Sequence, residues 1–358
     1  MVKLSIIGTV GVPGNYGGFE TLAENLVKYN FVSEKAVDII VYCSSNSYDV
    51  KVDEFLGAHL TYIPLEANGI QSVFYDCVSL LISAFRRTDV ILLLGVSGAI
   101  ILPFLKLISK ARVITNIDGI EWRRGKWRTL AKWFLKFSEK LAVNFSDEII
   151  ADNEGVRQYV KLQYNKDCIL IAYGGDHAPF SKYQIKGTNS SSDYFLALCR
   201  IEPENNIGLI LESFAKLANK KLKFVGNWEK SNYGRITRMQ YSRFTNIELL
   251  DPIYDEVELL KIRLGAKVYI HGHSAGGTNP SLVEMMHFGI PVIAFDCNFN
   301  RFTTDNKAKF FSNSEDLIHL VNELDFRDPS GMELKRLAQE EYTWERIGKK
   351  YFDLIRGF

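Results

Sequence analysis

The chain's 358 residues exceed what a single core commonly organises, so two domains are expected. A net charge of +1 removes any general pull toward nucleic acid, and apolar and aromatic shares of 47% and 13% describe a globular protein. Five cysteines (Cys43, Cys77, Cys168, Cys199, Cys297) stand singly without a Cys-x-x-Cys pair, which excludes a disulfide framework and reads as buried thiols in a reducing compartment.

The first strand is expected over Lys3–Gly8, with no charged and apolar regions of a signal peptide before it, and a cytoplasmic protein follows as the expectation. It runs into Gly8-Thr-Val-Gly11-Val-Pro-Gly14-Asn-Tyr-Gly17-Gly18-Phe-Glu20 and then a helix. The spacing is not Gly-x-Gly-x-x-Gly, and the second strand ends in Tyr42-Cys-Ser-Ser with no carboxylate for an adenosine ribose, which argues against a dinucleotide dehydrogenase. Gly17 and Gly18 either let a phosphate or sugar approach the helix start or only form a turn.

Further strands are expected at Asp38–Cys43, Leu60–Pro64, Asp89–Leu94, Arg112–Asn116, Glu148–Ala151 and Ile169–Ala172. The hydrophobic region Val73–Ile108 is interrupted by Arg86, Arg87, Asp89 and Gly95, and reads as helix, buried strand, helix rather than a membrane span. Asp118, just past the strand Arg112–Asn116, either faces a ligand beyond the strand ends, orienting or deprotonating a hydroxyl, or serves as a helix cap or Asx turn. From Trp122 to Leu141 three tryptophans mix with seven basic residues. On a helix Arg128, Lys132, Lys136 and Lys140 form one stripe, and Trp127, Leu130, Phe134, Phe137 and Leu141 another. That pattern fits a helix lying on an anionic membrane, or a surface helix packed by its aromatic side; nucleic acid is not expected as a partner.

A polar stretch at 181–193 reads as a linker, dividing an N-terminal domain at 1–180 from a C-terminal one at 194–341, with a last helix over 342–358 that crosses back to the first domain. In the second half strands are expected at Tyr194–Cys199, Lys223–Gly226, Ile247–Leu250, Val268–His271, Pro291–Phe295 and Lys309–Phe311. Apolar runs without alternation, separated by amphipathic helices, imply two doubly wound parallel α/β domains. Arg200, after the first strand of this half, is placed to pair bidentately with a diphosphate. After Val268–His271 comes Gly-His-Ser-Ala-Gly276-Gly277-Thr278-Asn279-Pro-Ser281, where a helix start offers unpaired N–H groups to a phosphate; Glu284, one turn in, can accept from vicinal hydroxyls. His271, His273 and His287 without a cysteine or carboxylate cluster are weak evidence for zinc, and no Gly-x-Ser-x-Gly elbow suggests a serine hydrolase.

Taken together, Tyr16-Gly-Gly-Phe-Glu20, Asp118, Tyr173-Gly-Gly-Asp176, Arg200-Ile-Glu-Pro-Glu204 and Pro-Ser-Leu-Val-Glu284 with Gly289-Ile-Pro-Val resemble retaining glycosyltransferases of family 4. The longer motifs resemble a subgroup of bacterial rhamnosyltransferase-like enzymes of capsule and O-antigen biosynthesis. The resemblance implies a GT-B fold with a cleft between the domains, and metal-independent transfer with retention of configuration. It implies that a sugar such as L-rhamnose or another deoxyhexose passes from a nucleotide-diphosphate donor to a polyprenyl-diphosphate-linked saccharide. By position Glu284 would bind the ribose, Arg200 the diphosphate, and Gly276, Gly277, Thr278, Asn279 and Ser281 the phosphates. Gly17 and Gly18 would close over the donor, Asp118 would face the acceptor, and the protein would sit peripherally on the inner face of the cell membrane. Asn205 and Gly276 stand where the family has a lysine and a first glutamate, which reads as a changed donor. The base would be read by the backbone around Gly226-Asn-Trp228 and Pro252-Ile-Tyr254. A nucleotide-sugar epimerase of the same fold and a non-catalytic nucleotide-sugar-binding protein are the alternatives.

Overall fold

The computed structural model describes residues 1–14, 17–33, 37–123, 125, 127–179, 193–325 and 327–357. Two compact units emerge. The first takes Met1–Arg123, Trp127–Ala172 and the residues from Trp344 on; the second takes Tyr173–Thr343. The division thus falls at 172/173 rather than at 180, because the Tyr173-Gly-Gly-Asp176 turn packs with the second unit, and nearly all of the expected linker at 181–193 lies outside the described residues.

The first unit runs β1 (Val2–Ile7), α1 (Gly18–Val32), β2 (Val37–Ser44), β3 (Glu54–Phe55), β4 (Ala58–Ile63), α2 (Gln71–Phe85), β5 (Val90–Leu94), α3 (Leu102–Ile108), β6 (Arg112–Asn116), α4 (Thr129–Phe145), β7 (Glu148–Ala151), α5 (Glu154–Tyr164) and β8 (Ile169–Leu170). Its sheet order is β3-β4-β2-β1-β5-β6-β7-β8, parallel except for the short β3, which the sequence pattern does not reveal. β5 is buried along its whole length, as a strand covered on both faces must be.

The second unit runs β9 (Phe195–Leu198), α6 (Ile207–Ala215), β10 (Leu222–Val225), α7 (Asn232–Tyr241), β11 (Ile247–Leu250), α8 (Glu256–Gly265), β12 (Val268–His271), α9 (Pro280–Met286), β13 (Val292–Phe295), α10 (Asn298–Thr303), β14 (Lys309–Phe311), α11 (Ser314–Glu323) and α12 (Ser330–Glu341). Its six parallel strands lie in the order β11-β10-β9-β12-β13-β14. Phe195, Phe214, Phe224 and Trp228 form its core with edge-to-face ring contacts. The last helix, α13 (Trp344–Arg356), packs on α1 of the first unit, where Tyr29 and Phe352 rings meet at 5.3 Å and Gly348 leaves room for Tyr29.

Both sheets are doubly wound, so each has a point where the chain reverses its direction across the sheet. In the first unit this point lies between β1 and β5, and in the second between β9 and β12. Ligands of open α/β sheets bind beyond the carboxyl ends of the strands at such points. Among the described residues no helix is long and apolar enough to cross a membrane. The five cysteines are free; only Cys43 is fully buried, the other four being half-buried, which corrects the reading of them all as buried.

Candidate active site

In the second unit the switch point brings together the Arg200 loop after β9 and the 272–279 loop after β12. Asn205, which the sequence aligns with a missing lysine, is 4% exposed, and its Nδ2 donates to the Arg200 carbonyl at 2.8 Å. It points inward as an anchor for the Arg200 turn, whose own side chain is exposed. Asn206, with a left-handed φ of 53°, donates from Nδ2 to the Gly272 carbonyl at 2.8 Å, and the Ser274 N–H and hydroxyl both donate to the Glu204 carbonyl. These bonds tie the two loops into one piece.

The 272–279 loop differs in one respect from the sequence expectation. The start of α9 offers fewer open donors than a bare helix terminus. The Asn279 side chain accepts from the Ser281 N–H at 3.1 Å and its carbonyl from the Leu282 and Val283 N–H groups. The Ser281 hydroxyl also donates to Asn279, at 2.8 Å, and lies 3.0 Å from the Tyr269 hydroxyl. A phosphate here would have to be met by the glycine-rich loop before Asn279. Gly276 has a φ of +124° with open space where a Cβ would project, so the backbone itself disfavours a glutamate there. Gly277 is half-buried and Thr278 is 5% exposed.

Glu284 is the most constrained group in the site. Its Oε2 accepts from Arg263 Nη2 in a short bond, and its Oε1 lies 3.3 Å from His177 Nε2. Burial acts to raise its carboxyl, but the Arg263 guanidinium, and then His177, outweigh burial and hold it below the usual carboxylate range. Gly175 makes this contact possible: a Cβ there would sit 2.7 Å from the Glu284 nitrogen, so only glycine lets the turn lie against α9 and deliver His177. Neither Arg263 nor His177 is apparent from sequence. Arg263, in the last turn of α8, reads as a cation on the helix dipole, and His177 follows a motif that draws notice only to its glycines.

His271 is wholly buried and stacks on His273 with centroids 4.4 Å apart. Burial, then the neighbouring His273, push it well below the usual imidazole range. His287 donates from Nε2 to the Tyr342 carbonyl at 3.1 Å. The three imidazoles are structural neighbours of the loop, and among the described residues no group of three or more His, Cys, Asp or Glu is placed to hold a metal ion.

In the first unit the loop after β1 fills the switch point. Gly8 is required, since a Cβ would meet the Leu94 carbonyl. Glu20 accepts from the Val10 N–H at 2.8 Å and the Thr9 hydroxyl at 3.2 Å, and its other oxygen lies where a side chain at Gly17 would project. The start of α1 at Gly18 is thus shielded by its own carboxylate, which repels a phosphate and suits sugar hydroxyls better. Tyr16 lies outside the described residues. Past β6, Asn116 Oδ1 accepts from the Asp118 N–H at 3.0 Å, so the Asx turn belongs to Asn116 and not to Asp118. Asn116 Nδ2 in turn donates to the Tyr351 hydroxyl of α13 at 2.7 Å. Asp118 is half-exposed with a left-handed φ of 58°, a conformation a non-glycine residue adopts rarely and at a cost.

Residues 181–326 match the family model of the glycosyl transferases group 1, and residues 1–176 match a domain of unknown function (DUF1972). Among curated proteins none matches the sequence. Several solved structures are similar in fold. Sucrose-phosphate synthase from Thermosynechococcus elongatus is 12% identical with a TM-score of 0.81 over 100% of this chain and 99% of that one. Trehalose-6-phosphate synthase OtsA is 8% identical with a TM-score of 0.76, over 100% and 99%. A putative UDP-N-acetylglucosamine 2-epimerase from Listeria monocytogenes is 12% identical with a TM-score of 0.63, over 99% and 95%. The chain has the two-domain α/β fold of GT-B glycosyltransferases, and the family match of its second half supports glycosyltransferase function.

Proposed function

We propose that the protein is a retaining glycosyltransferase that moves a deoxyhexose, L-rhamnose foremost, from a nucleoside-diphosphate donor onto a polyprenyl-diphosphate-linked saccharide in O-antigen or capsule biosynthesis. The observation that carries this reading is Glu284, held ionised by Arg263 and His177 at the switch point of the matched domain. A carboxylate there has lone pairs left for the two ribose hydroxyls. Arg200 stabilises the leaving diphosphate, aided by the amides of the Gly276–Asn279 loop, and with Asn205 turned inward it is the main cation available for this role. A diphosphate oxygen takes the acceptor proton, and Asp118 orients the acceptor hydroxyl. No step calls for a metal.

The likeness to an epimerase keeps a second reading alive, in which the same donor site acts without an acceptor. Two measurements decide. Thermal stabilisation by dTDP or UDP species, reduced in Glu284→Ala, supports the donor site; no shift with any nucleotide overturns it. Release of free nucleotide only with acceptor present supports transfer, and release without acceptor, or interconversion of the sugar, supports the epimerase.

A further inference from the structure

In the first unit α2, α3 and α4 connect β4 to β5, β5 to β6 and β6 to β7, all stepping the same way along the sheet. Right-handed crossovers place such helices on one face, and α3 packs against both α2 and α4. Their rotation is fixed from within. On α4, the buried Glu139 accepts from Tyr159 and Tyr164, each at 2.6 Å, and the Ser138 hydroxyl donates to the Val96 carbonyl at 2.5 Å. On α2, Tyr75, Asp76, Ser79, Leu80 and Ser83 are buried.

What this rotation turns outward is apolar. Phe74 and Phe85 of α2 are 63% and 80% exposed, Phe104 and Leu107 of α3 are 52% and 83%, and Leu130 and Trp133 of α4 are 84% and 68%. Lone exposed hydrophobics need no explanation, but three adjacent helices with apolar outer faces do. The charges round this face are mainly basic, with the exposed Asp89 and Asp147 just beyond the helices as exceptions and Asp147 paired with Lys106 of α3. Arg87, Lys110, Arg128, Lys136 and Lys140 are exposed, whereas the two acidic residues within the three helices, Asp76 and Glu139, are buried. On α4, Leu135, Ser138 and Ala142 pack inward, Trp127, Phe134 and Leu141 are half-buried, and Leu130, Trp133 and Phe137 are exposed.

We propose that α2, α3 and α4 together form a docking face for an anionic lipid bilayer, in which Phe74, Phe104, Leu107 and Trp133 enter the interface and the basic fringe meets lipid headgroups. This rests on the reading that the acceptor is lipid-linked, and goes beyond it by placing most of the inserted surface on α2 and α3. A second copy of the chain is a poorer occupant, because a twofold contact would set the basic fringe against itself. A bilayer satisfies both the apolar centre and the cationic rim.

The test is co-sedimentation with vesicles of phosphatidylcholine and phosphatidylglycerol and with vesicles of phosphatidylcholine alone. Tryptophan emission is recorded in parallel, since Trp133, at 68%, is the one exposed tryptophan of the five. Binding to the mixed vesicles with a blue-shifted emission is expected. Loss of binding is expected in Phe74→Ser with Leu107→Ser, and about fivefold weaker partition for each of Lys136→Gln and Lys140→Gln. Binding by the serine variant equal to that of the unaltered protein overturns the proposal. So does a protein that ignores both vesicles, whether it remains monomeric or forms a dimer that the serine variant abolishes. The thermal shift with dTDP and turnover of a water-soluble acceptor are measured on the same variants: if these persist while vesicle binding is absent from every form, only the docking face fails, and if they are absent while vesicle binding follows the pattern above, only the donor reading fails.

Discussion

Replacing Arg263 by methionine removes the guanidinium that holds Glu284 while keeping much of its apolar bulk. The two side chains are 9% and 12% exposed, so water replaces little of what is lost. Removing one partner of a buried ion pair costs about 3–5 kcal/mol. His177 remains beside Oε1 and the carboxyl can take up a proton, which argues for the low end, about 3 kcal/mol. At about 2–4 °C per kcal/mol for a unit of this size, the melting midpoint falls by about 6–12 °C. The pH dependence carries more information. In the unaltered protein the depressed Glu284 pKa contributes stability that is present above its ordinary value of 4.5 and is lost as pH falls through the folded value. In the variant burial prevails and the folded pKa rises, so the stability deficit is largest near neutrality and eases on acidification. Affinity for dTDP moves the opposite way, weakening as the carboxyl protonates. Scanning calorimetry and titration calorimetry at neutral and mildly acidic pH measure both. A midpoint change under about 2 °C, with dTDP affinity unchanged at either pH, refutes the argument that Arg263 holds Glu284 in its working state.

Asp118→Asn keeps the side chain's shape and should leave the thermal shift with nucleotide intact while lowering transfer at least about a hundredfold; equal turnover removes Asp118 from the reaction. Gly276→Glu restores the residue the family places there, but at a φ of +124° it should lower the melting midpoint, at a cost of about 1–3 kcal/mol, and give no gain in turnover. His271 is neutral when folded and takes a proton on unfolding below its ordinary value of 6.5, so stability is level above that pH and declines below it, by up to about 1.4 kcal/mol per pH unit. His271→Gln should flatten that slope in a pH series of melting curves, and an unchanged slope would show that other groups set it.

The strands were legible because parallel strands buried on both faces leave continuous apolar runs. Arg112–Asn116 and Glu148–Ala151 have the bounds read from sequence. β3 was not, because two residues paired at an edge carry no period. The loops at both switch points announced themselves through their glycines, but their internal bonding did not. Asn279 beside Pro280 is a capping pattern, and the capping occupies the Ser281 N–H. Arg263 meets Glu284 across 21 residues, a pairing that only the fold creates. Asn205 looked like a lost cation because its inward turn depends on the Arg200 carbonyl. The helix before β5 is legible within Val73–Ile108, but the sequence does not say that Phe74 and Phe85 face outward.

The first unit is closed by a helix that follows the whole second unit in sequence. α13 supplies Tyr351, which holds Asn116 and through it the turn at Asp118, and it covers α1 at Tyr29. While the polypeptide is being synthesised, more than three hundred residues emerge before this piece does. The second unit has left the ribosome before the final helix of the first emerges, so the first cannot be completed until then. Until then the α1 surface waits uncovered. A stop codon or protease cut near residue 344 would leave Glu284, Arg263 and His177 in place and remove the Tyr351 support of the turn at Asp118.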